Sequence, residues 1–144
     1  MAYPYLPPPI ETATDPVHST EDLCRRWQAL MGPLGFGERL LWFSFVGRDR
    51  CLIKVLNQID IPLSPDERIG VEVFAMLRAV LDGFEPDTTV ALLLTRPSSG
   101  PVSHADRRWS TMLTETAARF DIPLEPIFCA NSTAVVHVPP NPLR

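Results

Sequence analysis

Three polar residues that could do chemistry, Arg96, Ser103 and Asp106, follow directly on an apolar run of the chain. Residues 88–95 (TTVALLLT) predict a buried strand, residues 96–102 form a loop rich in proline and serine, and the Ser-x-x-Asp spacing indicates a helix start. In open α/β sheets, ligands bind beyond the carboxyl ends of strands. An arginine there can pair with a carboxylate or another anion, while serine and aspartate can cap the helix or contribute to a metal site.

Other chemistries have weaker support in this loop. Its serines lack the G-x-S-x-G elbow of a nucleophile, and no histidine has a spacing that suggests a base. The glycine-rich residues 32–37 precede a strand and not a helix, which is the wrong context for a phosphate-binding loop. Phosphate binding at the helix start, helped by Arg107 and Arg108, stays open, although Asp106 disfavours an anion there.

Residues 95–106 (TRPSSGPVSHAD) resemble the RadC-like branch of the JAB/MPN (JAMM) metalloprotease superfamily. In that family a strand ends in His-x-His-Pro-Ser-Gly, Ser-x-x-Asp opens the next helix, and a glutamate lies upstream. Ser103 and Asp106 keep the Ser-x-x-Asp spacing, and Glu38 falls where the family has its glutamate. Leu94 and Arg96 fall at the two histidine positions. The resemblance extends from Glu38 to about residue 138.

The resemblance implies a JAB/MPN-like, cytidine-deaminase-like three-layer sandwich, and it also implies what the chain lacks. In the family the two histidines and the aspartate hold zinc, and the glutamate acts as base through zinc-bound water. Leucine offers no ligand, and a guanidinium has a fixed positive charge. Asp106 and Glu38 alone are too few ligands for a catalytic zinc. We therefore expect no metal, no cofactor and no catalytic residue, with Glu38, Leu94, Arg96, Ser103 and Asp106 as vestigial positions.

Arg96 permits a sharper hypothesis. Its guanidinium would enter the cavity that zinc occupies in the family and pair with Asp106 or with Glu38, and the sequence leaves these two partners open. Ser103 and Asp106 also have a purely structural explanation, because a hydroxyl at the N-cap and an acidic residue in the first turn stabilise a helix. His104 is not expected to replace a metal ligand.

The resemblance suggests a catalytically inactive domain that serves as a protein–protein interaction or scaffold module. The identity of the protein partner is open, and a homodimer is one option. One alternative is a hydrolase of the same fold with a remodelled site. Another is a DNA-repair or DNA-transaction accessory protein, suggested only by the association of RadC with repair.

The composition bears on the number of domains, on nucleic-acid binding and on the location of the protein. A chain of 144 residues fits one domain, expected over residues 19–138. Its 13 basic and 17 acidic residues give a net charge of −4, and the arginines are spread along the chain, so nucleic acid is a disfavoured partner without being excluded. We expect a cytoplasmic protein without membrane association, because no apolar run is long enough to span a bilayer and no signal-peptide pattern is present.

The predicted order is helix, strand, strand, helix, strand, helix, strand, strand, which builds an α/β (α+β) fold with a mixed central sheet flanked by helices. Ser19 and Ser64 are the predicted N-caps of the first two helices. Residues 1–18 are expected to form an extended proline-rich arm, and residues 139–144 a C-terminal tail. The following arm residues could dock on a partner or on the domain itself: Tyr3, Tyr5, Leu6 and Ile10. The predicted buried face of the second helix comprises Ile69, Val73, Phe74, Leu77, Val80 and Leu81.

Overall fold

A computed structural model describes residues 6–141, apart from the side chain of residue 54. Tyr3, Tyr5 and residues 142–144 therefore lie outside the described residues. The elements in chain order are a 3-10 helix (Ile10–Thr14), α1 (Thr20–Met31), β1 (Leu40–Val46), β2 (Leu52–Asp60), α2 (Glu67–Leu81), β3 (Thr89–Thr95), α3 (His104–Arg119), β4 (Phe128–Ala130) and β5 (Val135–His137).

The strands form one mixed sheet in the order β2-β1-β3-β4-β5. β1 is antiparallel to both β2 and β3, β3 is parallel to β4, and β4 is antiparallel to β5. A mixed sheet with helices packed on it confirms the predicted α/β fold class. Because β3 is the central strand, the loop that follows it leaves the sheet between β1 and β4.

The helices cover both faces of the sheet. β3 is apolar on both sides, because neighbouring residues of a strand point in opposite directions. Leu92 and Leu94 pack in the core that includes α2 and α3, whereas Ala91 and Leu93 pack in the core that includes α1. A buried tryptophan lies on each side: Trp109 on α3 and Trp27 on α1.

The helix starts follow the predicted signals at α1 but not at α2. The Ser19 hydroxyl accepts a hydrogen bond from the Asp22 amide and caps α1 as predicted. At α2 the cap is Asp66, whose carboxylate accepts from the Arg68 amide, so the prediction of Ser64 as the cap is wrong. The carboxylate is closer to the first turn and satisfies one of its free amides directly.

The N-terminal arm is partly folded. The prediction of an extended arm is wrong for Ile10–Thr14, which form the 3-10 helix. Val17 is buried, and its amide donates to the carbonyl of Arg50 at 2.7 Å. The Arg26 side chain of α1 donates hydrogen bonds to two backbone carbonyls of the arm, and these bonds hold the arm against α1. Leu6 and Ile10 are exposed.

One ion pair ties distant parts of the fold together. Arg50, in the turn between β1 and β2, donates from both terminal nitrogens to Glu125 at 2.9 and 3.2 Å. The same carboxylate accepts from the Thr89 hydroxyl at 2.7 Å. Burial of Glu125 raises its pKa, but the Arg50 and Thr89 hydrogen bonds outweigh burial and leave the pKa lowered.

Replacing Glu125 with glutamine should lower the free energy of unfolding by about 1–3 kcal/mol at neutral pH, because the Arg50 pair is lost. A carboxyl group with a lowered folded-state pKa stabilises the fold above its unfolded pKa of about 4.3, and this contribution is lost as pH falls through the folded-state value. The difference between parent and variant should therefore shrink in acid. Urea unfolding across pH measures it, with the exposed Glu85→Gln as control. A pH-independent difference would contradict this assignment.

Candidate functional site

The loop that follows β3 is held against the turn between β4 and β5. The Arg96 amide continues the strand pairing by donating to the carbonyl of Ala130 at 3.1 Å. The buried Asn131 side chain donates to the carbonyl of Gly100 at 2.9 Å. The amide of Ser132 donates to the carbonyl of Ser98 at 2.9 Å. These contacts fix the path of the loop before α3 begins.

Ser103 and Asp106 form a complete capping box at the start of α3. The Ser103 hydroxyl accepts from the Asp106 amide at 3.1 Å, and the Asp106 carboxylate accepts from the Ser103 amide at 2.9 Å. Two amides of the first turn are thereby satisfied. The predicted structural role of these residues is confirmed.

Arg96 and Asp106 form a buried ion pair. The Arg96 Nε donates to the two carboxylate oxygens of Asp106 at 3.0 and 3.2 Å. The two residues are only 4% and 2% exposed, respectively. Of the two partners proposed for Arg96, the structure selects Asp106.

The rest of the Arg96 guanidinium is also hydrogen-bonded within the loop. Nη1 donates to the Ser98 hydroxyl at 3.2 Å and to the carbonyl of Pro97 at 3.4 Å. Nη2 donates to the carbonyl of Pro101 at 3.1 Å. Each guanidinium nitrogen therefore has an acceptor from the protein itself. The group organises the loop as a bound cation would, by drawing carbonyl and hydroxyl oxygens around a positive charge.

Glu38 does not join this group. It is exposed just before β1, beside Asp60 at the end of β2. The hydrogen bond and charge repulsion between the two carboxyl groups raise the pKa of Glu38. Among the hydrogen bonds and ion pairs of residues 6–141, none links Glu38 to Arg96 or Asp106. The prediction for Glu38 rested on its spacing along the chain. In the structure Glu38 is exposed and takes no part in the buried ion pair.

The residues that the resemblance assigns to metal positions do not fit a zinc ion. Leu94 is buried in the apolar core and has no ligand atom. Arg96 already places a positive charge beside Asp106, and Asp106 accepts hydrogen bonds from Arg96 and Ser103. A second positive charge there would be repelled by the guanidinium. In residues 6–141, no group of three or more His, Cys, Asp or Glu side chains is arranged to hold a metal ion.

Cys129 of β4 lies against the site and was not assigned to it from the sequence. Its strand position is opposite Leu94, and the charges of Asp106 and Arg96 both act on its thiol. Burial, together with the Asp106 charge, raises the pKa of the Cys129 thiol to about 12, although Arg96 opposes the shift. A thiol with so high a pKa is an inert packing group at neutral pH. Its pairing with β3 spans more than 30 positions of sequence, and no local motif indicates it.

The remaining polar residues of the loop are not assembled into a catalytic group. The Ser98 hydroxyl accepts from Arg96, and no basic side chain among residues 6–141 accepts a hydrogen bond from it. His104 is the first residue of α3 and is exposed, and His137 is exposed on β5 beside the ring of Phe128. The structure thus brings Leu94, Arg96, Ser103 and Asp106 together, without a nucleophile–base pair among them.

A scan against protein-family models and a search of curated proteins found no match to this chain. The part of the chain covered by the structure contains no helix with the length and apolar character needed to cross a bilayer.

Proposed function

We propose that the chain is a metal-free, catalytically inactive JAB/MPN-like domain that acts as a protein–protein interaction or scaffold module. The observation that carries the proposal is the buried Arg96–Asp106 pair at the end of β3. In the resembled family this position holds zinc, and here a covalently attached cation satisfies the aspartate. The site is therefore closed by the chain's own residues.

The electrostatics of the pair support an architectural role for the loop. Arg96 cannot act as a general base because it does not lose its proton in proteins. The Asp106 carboxylate is engaged by Arg96 and by the Ser103 amide. Both side chains are buried, so neither is accessible to a molecule in solvent. The retained Ser-x-x-Asp spacing then serves the helix cap and the loop.

Three exposed features of the described residues are suited to binding another protein. β2 is an edge strand, and edge strands can pair with a further strand. The arm exposes Leu6 and Ile10 next to a run of prolines, and α2 exposes apolar side chains. The proposal includes a cytoplasmic location, because all three cysteines are free thiols, as is usual in a reducing compartment.

Metal analysis of the purified full chain tests this proposal. We expect substoichiometric zinc, and no rise in Tm when zinc is added to the apo protein. A chain in which Leu94 and Arg96 are both changed to histidine should instead take up about one zinc ion, with Asp106 as a third ligand. Its Tm should rise with added zinc, because zinc binds the folded state.

The two chains distinguish the parts of the proposal. Stoichiometric zinc in the parent would overturn the metal-free site. A folded L94H/R96H chain, verified by circular dichroism, that fails to bind zinc would count against the JAB/MPN-like geometry.

A further inference from the structure

A groove of ≈ 300 Å³ lies between the start of α2 and one side of α3. Its apolar lining consists of Pro65, before α2, and of Met112 on α3, which is 8% exposed. Asn141, the last residue that the structure describes, also lines the groove. Residues 142–144 (PLR) directly follow it. The described part of the chain therefore stops at the wall of this groove.

The last described residues cross α3 on their way to the groove. The carbonyl of Val138 accepts from the Ser110 hydroxyl at 2.6 Å, and the amide of Asn141 donates to the Thr111 hydroxyl at 2.8 Å. Neighbouring residues of a helix are rotated by about 100° around its axis. Ser110 is buried, whereas Thr111 lines the groove. The path from Val138 to Asn141 thus runs around α3 toward the groove.

Prolines restrict the direction of this part of the chain. Two prolines at positions 139–140 precede Asn141, and Pro142 follows it. Proline fixes its own φ and favours an extended conformation in the residue before it, so little conformational entropy is left to lose. Three extended residues reach at most about 10 Å. Glu115 lies about one turn, or roughly 6 Å, beyond Thr111 along α3, which is within that reach.

The charges of the groove are complementary to Arg144. Glu67 and Glu115 contribute two exposed carboxylates, and Arg108 contributes one guanidinium. Neither carboxylate forms an ion pair with another side chain of residues 6–141. Arg108 and Glu115 are seven residues apart, which is about 10 Å along the helix axis. The groove therefore has a net negative charge and an acidic end away from Arg108.

The two helices that form the groove are closely packed beneath it. At Gly70 of α2, a Cβ would come within 2.7 Å of the Met112 sulfur, so only glycine allows this approach. The Thr116 hydroxyl also contacts that sulfur at 3.5 Å, and Met112 is thereby held in place. Gly70 and Phe74 belong to the buried face of α2, whereas Val80 is exposed, so the prediction that Val80 is buried is wrong.

We propose that residues 142–144 fill the groove between α2 and α3. Leu143 packs against Met112, and the Arg144 guanidinium lies beside Glu115. The apolar contact and the charge pairing both favour this position over solvent. The segment then ties the start of α2 to α3. This inference goes beyond the proposed function and does not rest on it.

Methyl NMR of the full chain, with labelled methionine and leucine methyl groups, tests the proposal. Nuclear Overhauser cross-peaks are expected between the Met112 methyl and the Leu143 methyls. Replacing Leu143 and Arg144 with glycine should remove these cross-peaks and move the Met112 resonance to its undocked position. The matched control is Leu6→Gly, at a leucine that is 82% exposed in the arm, which should leave the Met112 resonance unchanged.

A charge exchange identifies the acidic partner. The position of the Met112 resonance between the parent and the double glycine variant gives the ratio of docked to undocked chains. Arg144→Glu should lower this ratio about threefold, because a carboxylate then faces Glu67 and Glu115. Adding Glu115→Arg should return the ratio to within about twofold of the parent. Arg107→Glu, at an exposed position of α3 outside the groove lining, should leave the ratio unchanged.

A parent without Leu143–Met112 cross-peaks would overturn the proposal, as would a Met112 resonance that is identical in the parent and the double glycine variant. Cross-peaks that strengthen with chain concentration would also overturn it, because the segment of a second copy would then fill the groove. A segment docked on its own chain gives a spectrum that does not depend on concentration. None of these outcomes changes the zinc content of the chain, so failure here leaves the proposed function in place.

Discussion

Replacing Arg96 with alanine is expected to lower the free energy of unfolding by about 3–5 kcal/mol, because it leaves a buried carboxylate without its partner. Asp106 is 2% exposed and cannot recover the lost interaction from water. The loop also loses the donor that draws the Ser98 hydroxyl and the Pro101 carbonyl together. Urea denaturation at neutral pH measures the difference. An Arg96→Ala chain within about 0.5 kcal/mol of the parent would refute the pairing.

Matched variants separate the ion pair from the helix cap. Ser103→Ala removes only the capping hydroxyl and should cost about 1 kcal/mol. The exposed Arg107→Ala should change stability by less than about 0.5 kcal/mol. Arg96→Met should be strongly destabilising, and adding Asp106→Asn should recover part of the loss because the buried charge is then gone. If the double variant is less stable than Arg96→Met, the unpaired buried charge is not the cause of the loss.

The elements that the sequence predicts correctly are those with local signals. The predicted strand 88–95 contains β3, because its run of apolar residues ends at a proline-rich loop. The α3 capping box is encoded within four residues, so spacing alone identified it. The Arg96–Asp106 pair has a local signal too, because the two residues are ten positions apart and border the same short loop.

The predictions that were wrong depend on tertiary contacts, which local sequence patterns do not indicate. A proline-rich composition suggested an extended arm, yet burial of Val17 and the Arg26 hydrogen bonds fold part of it onto the domain. Glu38 has the expected spacing from the loop, but it lies beside Asp60. The periodicity of α2 assigned Val80 to the core, because both faces of that helix carry apolar residues. Such a helix has no single polar side to orient it.

Changing Trp109 to alanine should cost about 3–5 kcal/mol of unfolding free energy, because a fully packed indole leaves a cavity between α3 and the rest of that core. Its Nε1 also donates to the carbonyls of Pro62 and Leu63, in the segment that leads into α2. A variant that unfolds with the parent's free energy would contradict the packing role.

Phenylalanine at the two buried tryptophans separates the hydrogen bonds from the volume. Trp109→Phe leaves two carbonyls without their donor and should cost about 1–3 kcal/mol beyond the loss of contact area. The Trp27 Nε1 is buried and has no hydrogen-bond partner within residues 6–141, so Trp27→Phe loses contact area and no hydrogen bond, and removal of the unpaired N–H partly offsets that loss. Because both indoles are nearly inaccessible, Trp109→Phe should cost more than Trp27→Phe. Equal losses would mean that packing alone anchors α3 to the segment before α2.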